Sequence, residues 1–156
     1  MKKIKNLLVA ILVMLPCLLF VACETIEVSG KTFRYDSVTI DWGMATSEEK
    51  EAFFEENQVE NESELLNVLK TRDNRNSVFT TFGTDGKYTI KDSENEVVEN
   101  GFYKQDETTI TIAESEESLN ETGATTWQAN EKGYIITVKL DDELKIFAKY
   151  QYTEQD

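Results

Sequence analysis

The sequence predicts a mainly β protein: an eight-stranded antiparallel up-and-down barrel with one or two helices inserted after the first strand. Three observations predict this fold class. From Ser77 to the C-terminus, apolar residues recur with a period of two, the spacing of side chains on one face of a strand. The links within this run are mostly short, so neighbours in sequence should pair antiparallel. A sheet of that length loses its exposed edges when it closes into a barrel.

The first strand is predicted over residues 31–42. Its apolar residues have odd numbers up to Tyr35 and even numbers from Val38 onward. Because a regular strand keeps one parity on one face, this change predicts a β-bulge near Asp36 and Ser37.

Residues 46–72 change to a helical pattern. Thr46 and Glu49 fit a capping box, which predicts a helix that begins at this point. A second short helix should begin near Asn61 and carry an apolar stripe of leucines. We expect the two helices to cover one open end of the barrel or to pack on one flank.

The remaining seven strands are separated by polar turns. Asp85-Gly86 is a strong signal for a hairpin turn. Gly101 indicates a bulge within the strand that begins at residue 97. Residues 114–123 should form a polar, acidic loop. The predicted strands cover residues 78–82, 87–91, 97–104, 108–113, 124–129, 134–140 and 144–152.

The N-terminus has the pattern of an export signal. Three lysines precede an apolar run, Leu7 to Phe20, which at about 14 residues is short for a transmembrane helix of roughly 20. The run ends at Val21-Ala22-Cys23, which resembles the lipobox of bacterial lipoproteins. That resemblance implies a lipoprotein signal peptide over residues 1–22 and a diacylglyceryl group on Cys23. An uncleaved membrane anchor is the alternative.

Cleavage would leave a short tether over residues 23–29 and one barrel domain over residues 30–156. Removal of the three signal lysines leaves 13 basic and 30 acidic residues, a formal net charge of −17. Such a surface repels nucleic acid and anionic lipid headgroups. We therefore expect no nucleic-acid partner, and a membrane attachment made through the lipid on Cys23.

Composition also restricts the chemistry. The chain contains no histidine. Cleavage of the signal would remove Cys17, and acylation would occupy Cys23, so the mature chain would have no free thiol. Serine–histidine and cysteine–histidine catalysis and ordinary zinc sites therefore lack their residues. We expect a protein that is not an enzyme and that uses no cofactor or metal. A carboxylate pair is the remaining catalytic alternative. Asp92, Glu94 and Glu96 offer oxygen ligands for calcium, although an acidic turn is ordinarily just solvated.

Several short motifs are similar to those of bacterial lipocalin-like lipoproteins. They are Ser29–Phe33, Thr81–Tyr88, Glu99–Tyr103 and Thr108–Ile112. The resemblance spans roughly residues 29–152 and implies an eight-stranded barrel that binds a small apolar ligand.

The inward-facing positions of the predicted strands are mostly bulky. An eight-stranded barrel is just wide enough to be filled by side chains or to hold one small ligand. We therefore expect a largely filled interior, with any pocket confined to one mouth. The candidate ligand-binding residues are Trp42, Tyr88, Trp127 and Tyr150.

Two functions remain open at this point. The first is a lipid-anchored binding module on the extracytoplasmic face of a bacterial cell membrane, which holds a small apolar ligand without catalysis. The alternative is an interaction protein with a filled barrel that engages a cell-envelope partner through its outer surface.

Overall fold

The computed structural model describes residues 25–155. The predicted signal peptide over residues 1–22 and the predicted lipid-bearing Cys23 lie outside these residues. Within residues 25–155, every helix is too short or too polar to cross a membrane.

Eight antiparallel strands form a closed barrel, in which each strand pairs with its neighbours in sequence and the last strand pairs with the first. The predicted fold class is confirmed. The strands are β1 (Thr32–Asp41), β2 (Phe79–Phe82), β3 (Lys87–Lys91), β4 (Val97–Asp106), β5 (Thr109–Ala113), β6 (Thr125–Asn130), β7 (Gly133–Asp141) and β8 (Ile146–Glu154).

Two helices follow β1, as predicted: α1 (Ser47–Glu56) and α2 (Glu62–Thr71). The capping box is present, because the Thr46 hydroxyl accepts a hydrogen bond from the Glu49 N–H while the Glu49 carboxylate accepts one from the Thr46 N–H. Asn61 caps α2 through its side-chain oxygen. A 3₁₀ helix, Arg72–Ser77, leads into β2, and another, Glu117–Asn120, lies in the acidic loop.

One predicted bulge is confirmed and one is wrong. The pairing of β1 with β8 skips a residue between Tyr35 and Ser37, as the change of parity predicted. In β4, the register shifts opposite the Ile90–Lys91 step of β3, and Gly101 pairs regularly with Tyr88. Gly101 is needed for a different reason: a Cβ there would meet the Ala113 carbonyl oxygen and, at 2.9 Å, the Tyr88 ring.

The barrel has two distinct ends. The closed end contains the β2–β3, β4–β5 and β6–β7 turns, and the open end contains the β3–β4, β5–β6 and β7–β8 links together with α1 and α2.

The segment before β1 crosses the closed end. Ile26 N–H donates to the Asn130 carbonyl at the end of β6, and Gly30 N–H donates to the Phe82 carbonyl at the end of β2. Between them, Val28 is fully buried, and its N–H donates to the Gln105 side chain at 3.0 Å. Residues 26–29, predicted as part of a tether, are therefore packed as the seal of this end.

Aromatic side chains fill the closed half of the barrel. The Phe82 ring lies within 6.5 Å of the rings of Phe33, Tyr88, Tyr103, Trp127 and Tyr134. Phe102 alternates with the buried Gly101 and Tyr103 and so lies on the outer face, although an aromatic residue in this strand is expected from the sequence to face inward. The expected filling of the interior is therefore found in this half.

Candidate functional site

A cavity of about 550 Å³ occupies the barrel interior at the open end. Its wall combines aliphatic and polar side chains, because the inward positions near this end carry valine and isoleucine where the closed half carries aromatic rings. The apolar lining consists of Val78, Ile90, Val98, Ile112, Trp127, Ile136 and Val138. The polar lining consists of Arg75, Thr80, Glu99, Thr125, Thr137 and Tyr152.

The floor of this mouth cavity is aromatic. The Trp127 ring stacks on the Tyr134 ring with centroids 5.0 Å apart, and Tyr134 stacks in turn on Tyr152 at 4.9 Å. The buried Tyr134 hydroxyl donates to Thr80 Oγ1 at 2.8 Å. Burial raises the pKa of Tyr134 well above its ordinary value, against the smaller opposing effect of the Thr80 hydrogen bond. The floor therefore stays uncharged through the physiological pH range.

One wall carries a cation. The Arg75 guanidinium lies over the Tyr150 ring, 4.9 Å from its centroid, in cation–π geometry. Burial raises the pKa of the neighbouring Tyr152, and the charge and hydrogen bond of Arg75 oppose that rise. Arg75 comes from the 3₁₀ helix after α2, so the helical insertion contributes directly to the cavity.

The rim also carries an anion. Glu99 lies at the mouth, and its carboxylate accepts a hydrogen bond from the Tyr88 hydroxyl at 2.5 Å. Burial and then this hydrogen bond raise the pKa of Tyr88 far above its ordinary value. The mouth therefore combines an apolar wall with one positive and one negative group.

The four predicted ligand-binding residues do not form one cluster. Trp127 lines the cavity, and the Tyr88 ring lies next to it, with centroids 6.0 Å apart. Tyr150 is buried beneath α2, where its hydroxyl donates to the Leu69 carbonyl at 3.3 Å.

Trp42 lies with the helices and is absent from the cavity wall. Its ring packs edge-on against Phe53 and Phe54, and its Nε1–H donates to Glu62 at 3.1 Å. Trp42 and Tyr150 thus attach the helical insertion to the barrel.

For several of the residues that line the cavity, no local sequence pattern predicted a role in binding. Arg75 stands in a polar segment between α2 and β2, and Glu99 is one of many acidic residues. Strand parity could have found Tyr152, which shares the inward face of β8 with Tyr150. Sequence parity did not single out Val98, which lies at the register shift of β4.

A larger groove of about 840 Å³ runs outside the cavity, between the bulge of β1 and α2. Charged and polar side chains dominate its lining, including Asp36, Glu60, Glu64 and Lys70. Its wide, polar form does not suit an apolar ligand, since it offers few apolar side chains to bury one.

Among residues 25–155, no group of three or more potential ligands is arranged to hold a metal ion. In the acidic turn considered for calcium, an Asp92 oxygen accepts backbone hydrogen bonds from Glu94 and Glu96 at 2.9 and 3.0 Å. That carboxylate therefore shapes the turn.

Comparison with protein-family models, curated proteins and solved structures finds no match to this chain. The geometry of the mouth cavity and the sequence motifs are therefore the features that bear on function.

Proposed function

We propose that this chain is a lipid-anchored, extracytoplasmic binding module of a bacterial cell membrane, whose lipocalin-like barrel takes a small apolar ligand at its open mouth. The observation that carries the proposal is the cavity of about 550 Å³, whose wall contains valine and isoleucine side chains together with polar groups. Small-molecule sites usually measure roughly 300–1,000 Å³, with apolar walls and a few placed polar groups. The lipobox around Cys23 supports the anchored location.

The lining indicates how a ligand would lie. Ile112 and Ile136 would contact its apolar body, and Trp127 would contact the end that reaches the floor. Arg75 and Glu99 offer a donor and an acceptor to a polar end. A neutral ligand with one polar end fits best, because the strongly negative domain disfavours the approach of an anion.

The two tryptophans make the proposal testable by fluorescence, because Trp127 lines the cavity and Trp42 lies with the helices. We would replace Trp42 by Phe, so that Trp127 alone reports, and titrate with the neutral apolar probe N-phenyl-1-naphthylamine. We expect saturable energy transfer from Trp127 at one probe per chain. Absence of saturable transfer would contradict binding at the mouth.

Two adjacent valines provide a matched control. Val98 lines the cavity and is 56% exposed, whereas Val97 is 52% exposed and lies outside the lining. Val98→Asp should weaken probe binding at least tenfold, because it places a carboxylate at the mouth beside Glu99. Val97→Asp should leave binding within twofold. Equal effects of the two substitutions would locate the probe elsewhere.

The alternative function is an interaction protein that uses its outer surface. The aromatic filling of the closed half favours it, since only the open half of the barrel is free for a ligand. A chain that binds no apolar probe, yet loses an envelope partner when Glu64 and Lys70 of the outer groove are replaced, would support this alternative.

A further inference from the structure

We infer that the closed end of the barrel faces the membrane and that the open mouth faces away from it, so that the ligand enters from the aqueous side and not directly from the bilayer. This inference rests on the anchoring proposed above. It adds an orientation to the domain and assigns the closed end as the surface that meets lipid headgroups.

Only a short piece of chain connects Cys23 to the barrel. Ile26 is already bound to the barrel, because its N–H donates to Asn130 and its carbonyl accepts from the Gln105 amide at 2.9 Å. Glu24 and Thr25 alone separate it from Cys23. Three Cα–Cα steps of 3.8 Å span at most about 11 Å, so an acylated Cys23 would hold the closed end near the headgroups.

The two ends of the barrel are far apart compared with the length of this connection. Strand β7 runs nine residues, Gly133–Asp141, from the closed end to the open end. At about 3.3 Å per residue it is roughly 30 Å long, and a tilt near 40° leaves roughly 20–25 Å along the barrel axis. The mouth is therefore farther from the anchor than two linking residues can reach.

Acidic side chains are distributed unequally between the two ends, and this distribution does not depend on the anchor. Among the described residues, the turns and strand ends of the closed end, with the segment before β1, carry few acidic side chains: Glu27, Asp85, Asp106, Glu107, Glu131 and Glu154. The links and helices of the open end carry many more: Glu48, Glu49, Glu51, Glu55, Glu56, Glu60, Glu62, Glu64, Asp92, Glu94, Glu96, Glu114, Glu116, Glu117, Glu121, Asp142 and Glu143. An anionic bilayer would repel the open end more strongly, which favours the same orientation.

A consequence follows for the source of the ligand. A mouth held away from the bilayer does not touch acyl chains, so a membrane lipid would have to leave the bilayer before it entered. The geometry instead suits a small apolar solute, delivered through water or by a soluble carrier.

Labels at the two ends of β7 test this orientation. Glu131 and Glu143 are both exposed glutamates in turns, at the closed and open ends respectively. We would replace each by Cys in the full chain, purify the processed protein from membranes, and attach bimane. The labelled proteins would be reconstituted in phosphatidylcholine vesicles that carry a nitroxide on the headgroup, which quenches at short range. We expect at least threefold more quenching at position 131 than at position 143.

A second variant tests the role of the short connection. Insertion of 20 Gly/Ser residues between Thr25 and Ile26 gives a tether with a root-mean-square length of about 25 Å. The quenching at position 131 should then fall toward that at position 143.

The outcomes separate the two proposals. Vesicle flotation with equal quenching at the two positions, or with more at position 143, would overturn the orientation while leaving the anchor intact. Failure to float would overturn the anchor and the orientation together. Probe transfer from Trp127 in solution depends on neither result, so it would still report on the mouth.

Discussion

The side-chain oxygen of Gln105 accepts a hydrogen bond from the backbone N–H of Val28, 77 positions earlier in the chain. The same amide group donates to the carbonyls of Ile26 and Glu107, each at 2.9 Å. Val28 is thereby held in a fully buried position at the closed end. One side chain of β4 thus fixes the segment that continues directly into the predicted lipid anchor.

Replacement of Gln105 should loosen the packing of residues 26–29 across the closed end. Gln105→Ala removes three hydrogen bonds, and we expect the free energy of unfolding to fall by about 1–3 kcal/mol. Amide exchange at Val28 should accelerate more than exchange in the middle of the strands. Gln128→Ala is the matched control, because the exposed Gln128 makes a single bond, to the Thr108 carbonyl at 2.7 Å. An equal loss of stability in both variants would show that the three bonds do not hold the seal.

The buried tyrosines predict a loss of stability in alkali. Burial raises the pKa of Tyr88, Tyr134 and Tyr152 in the folded state. A raised folded pKa contributes stability that is fully present below the unfolded pKa of about 10 and is lost as the pH rises through the folded values. Urea unfolding followed from pH 8 to pH 11.5 should therefore show falling stability above about pH 10.

Tyr134→Phe tests the contribution of one buried tyrosine to this pH dependence. It should cost about 1 kcal/mol at neutral pH, because the Thr80 hydroxyl loses its donor, and should reduce the slope above pH 10. Tyrosinate absorbance that develops near pH 10 for all tyrosines of a still-folded barrel would contradict this account.

Alanine substitutions at two glycines with positive φ distinguish the cost of steric crowding from the cost of backbone strain. Gly133 has φ 151°, and a Cβ there would meet the Tyr152 carbonyl and, at 3.0 Å, the Phe33 ring. Gly123 has φ 101° with nothing within 4 Å of the same position. We expect Gly133→Ala to cost about 2–4 kcal/mol and Gly123→Ala about 1 kcal/mol in thermal unfolding. A larger loss for Gly123→Ala would be inconsistent with the packing described.

The attachment of the helices depends on Trp42. Trp42→Ala removes ring contacts with Phe53 and Phe54 and should cost about 2 kcal/mol, less than a fully buried tryptophan. Limited proteolysis should then cut within α1 before it cuts the barrel. Met44→Ala is the control, since Met44 is 96% exposed and its truncation should leave the cleavage pattern unchanged. Cleavage first in the strands would contradict the proposed role of Trp42.

Strand number, strand order and helix starts were predictable from the sequence because local chemistry encodes them. A period of two specifies a strand wherever one face is buried, and the short links leave antiparallel neighbours as the simple pairing. The bulge after Tyr35 followed from a change of parity, and the cap at Thr46 from a bond between residues three apart. Each of these signals is complete within about ten residues.

Tertiary structure alone assigned different roles to side chains of the same type. Trp42 and Trp127 stand in similar apolar patterns, yet Trp42 attaches the helices and Trp127 lines the mouth, because the strand register and the position of α1 decide what each ring meets. The packing of residues 26–29 against the barrel was likewise not predictable from the neighbouring sequence, since their partner Gln105 lies far along the chain. Contacts of that separation follow from closure of the barrel, which no short pattern of residues encodes.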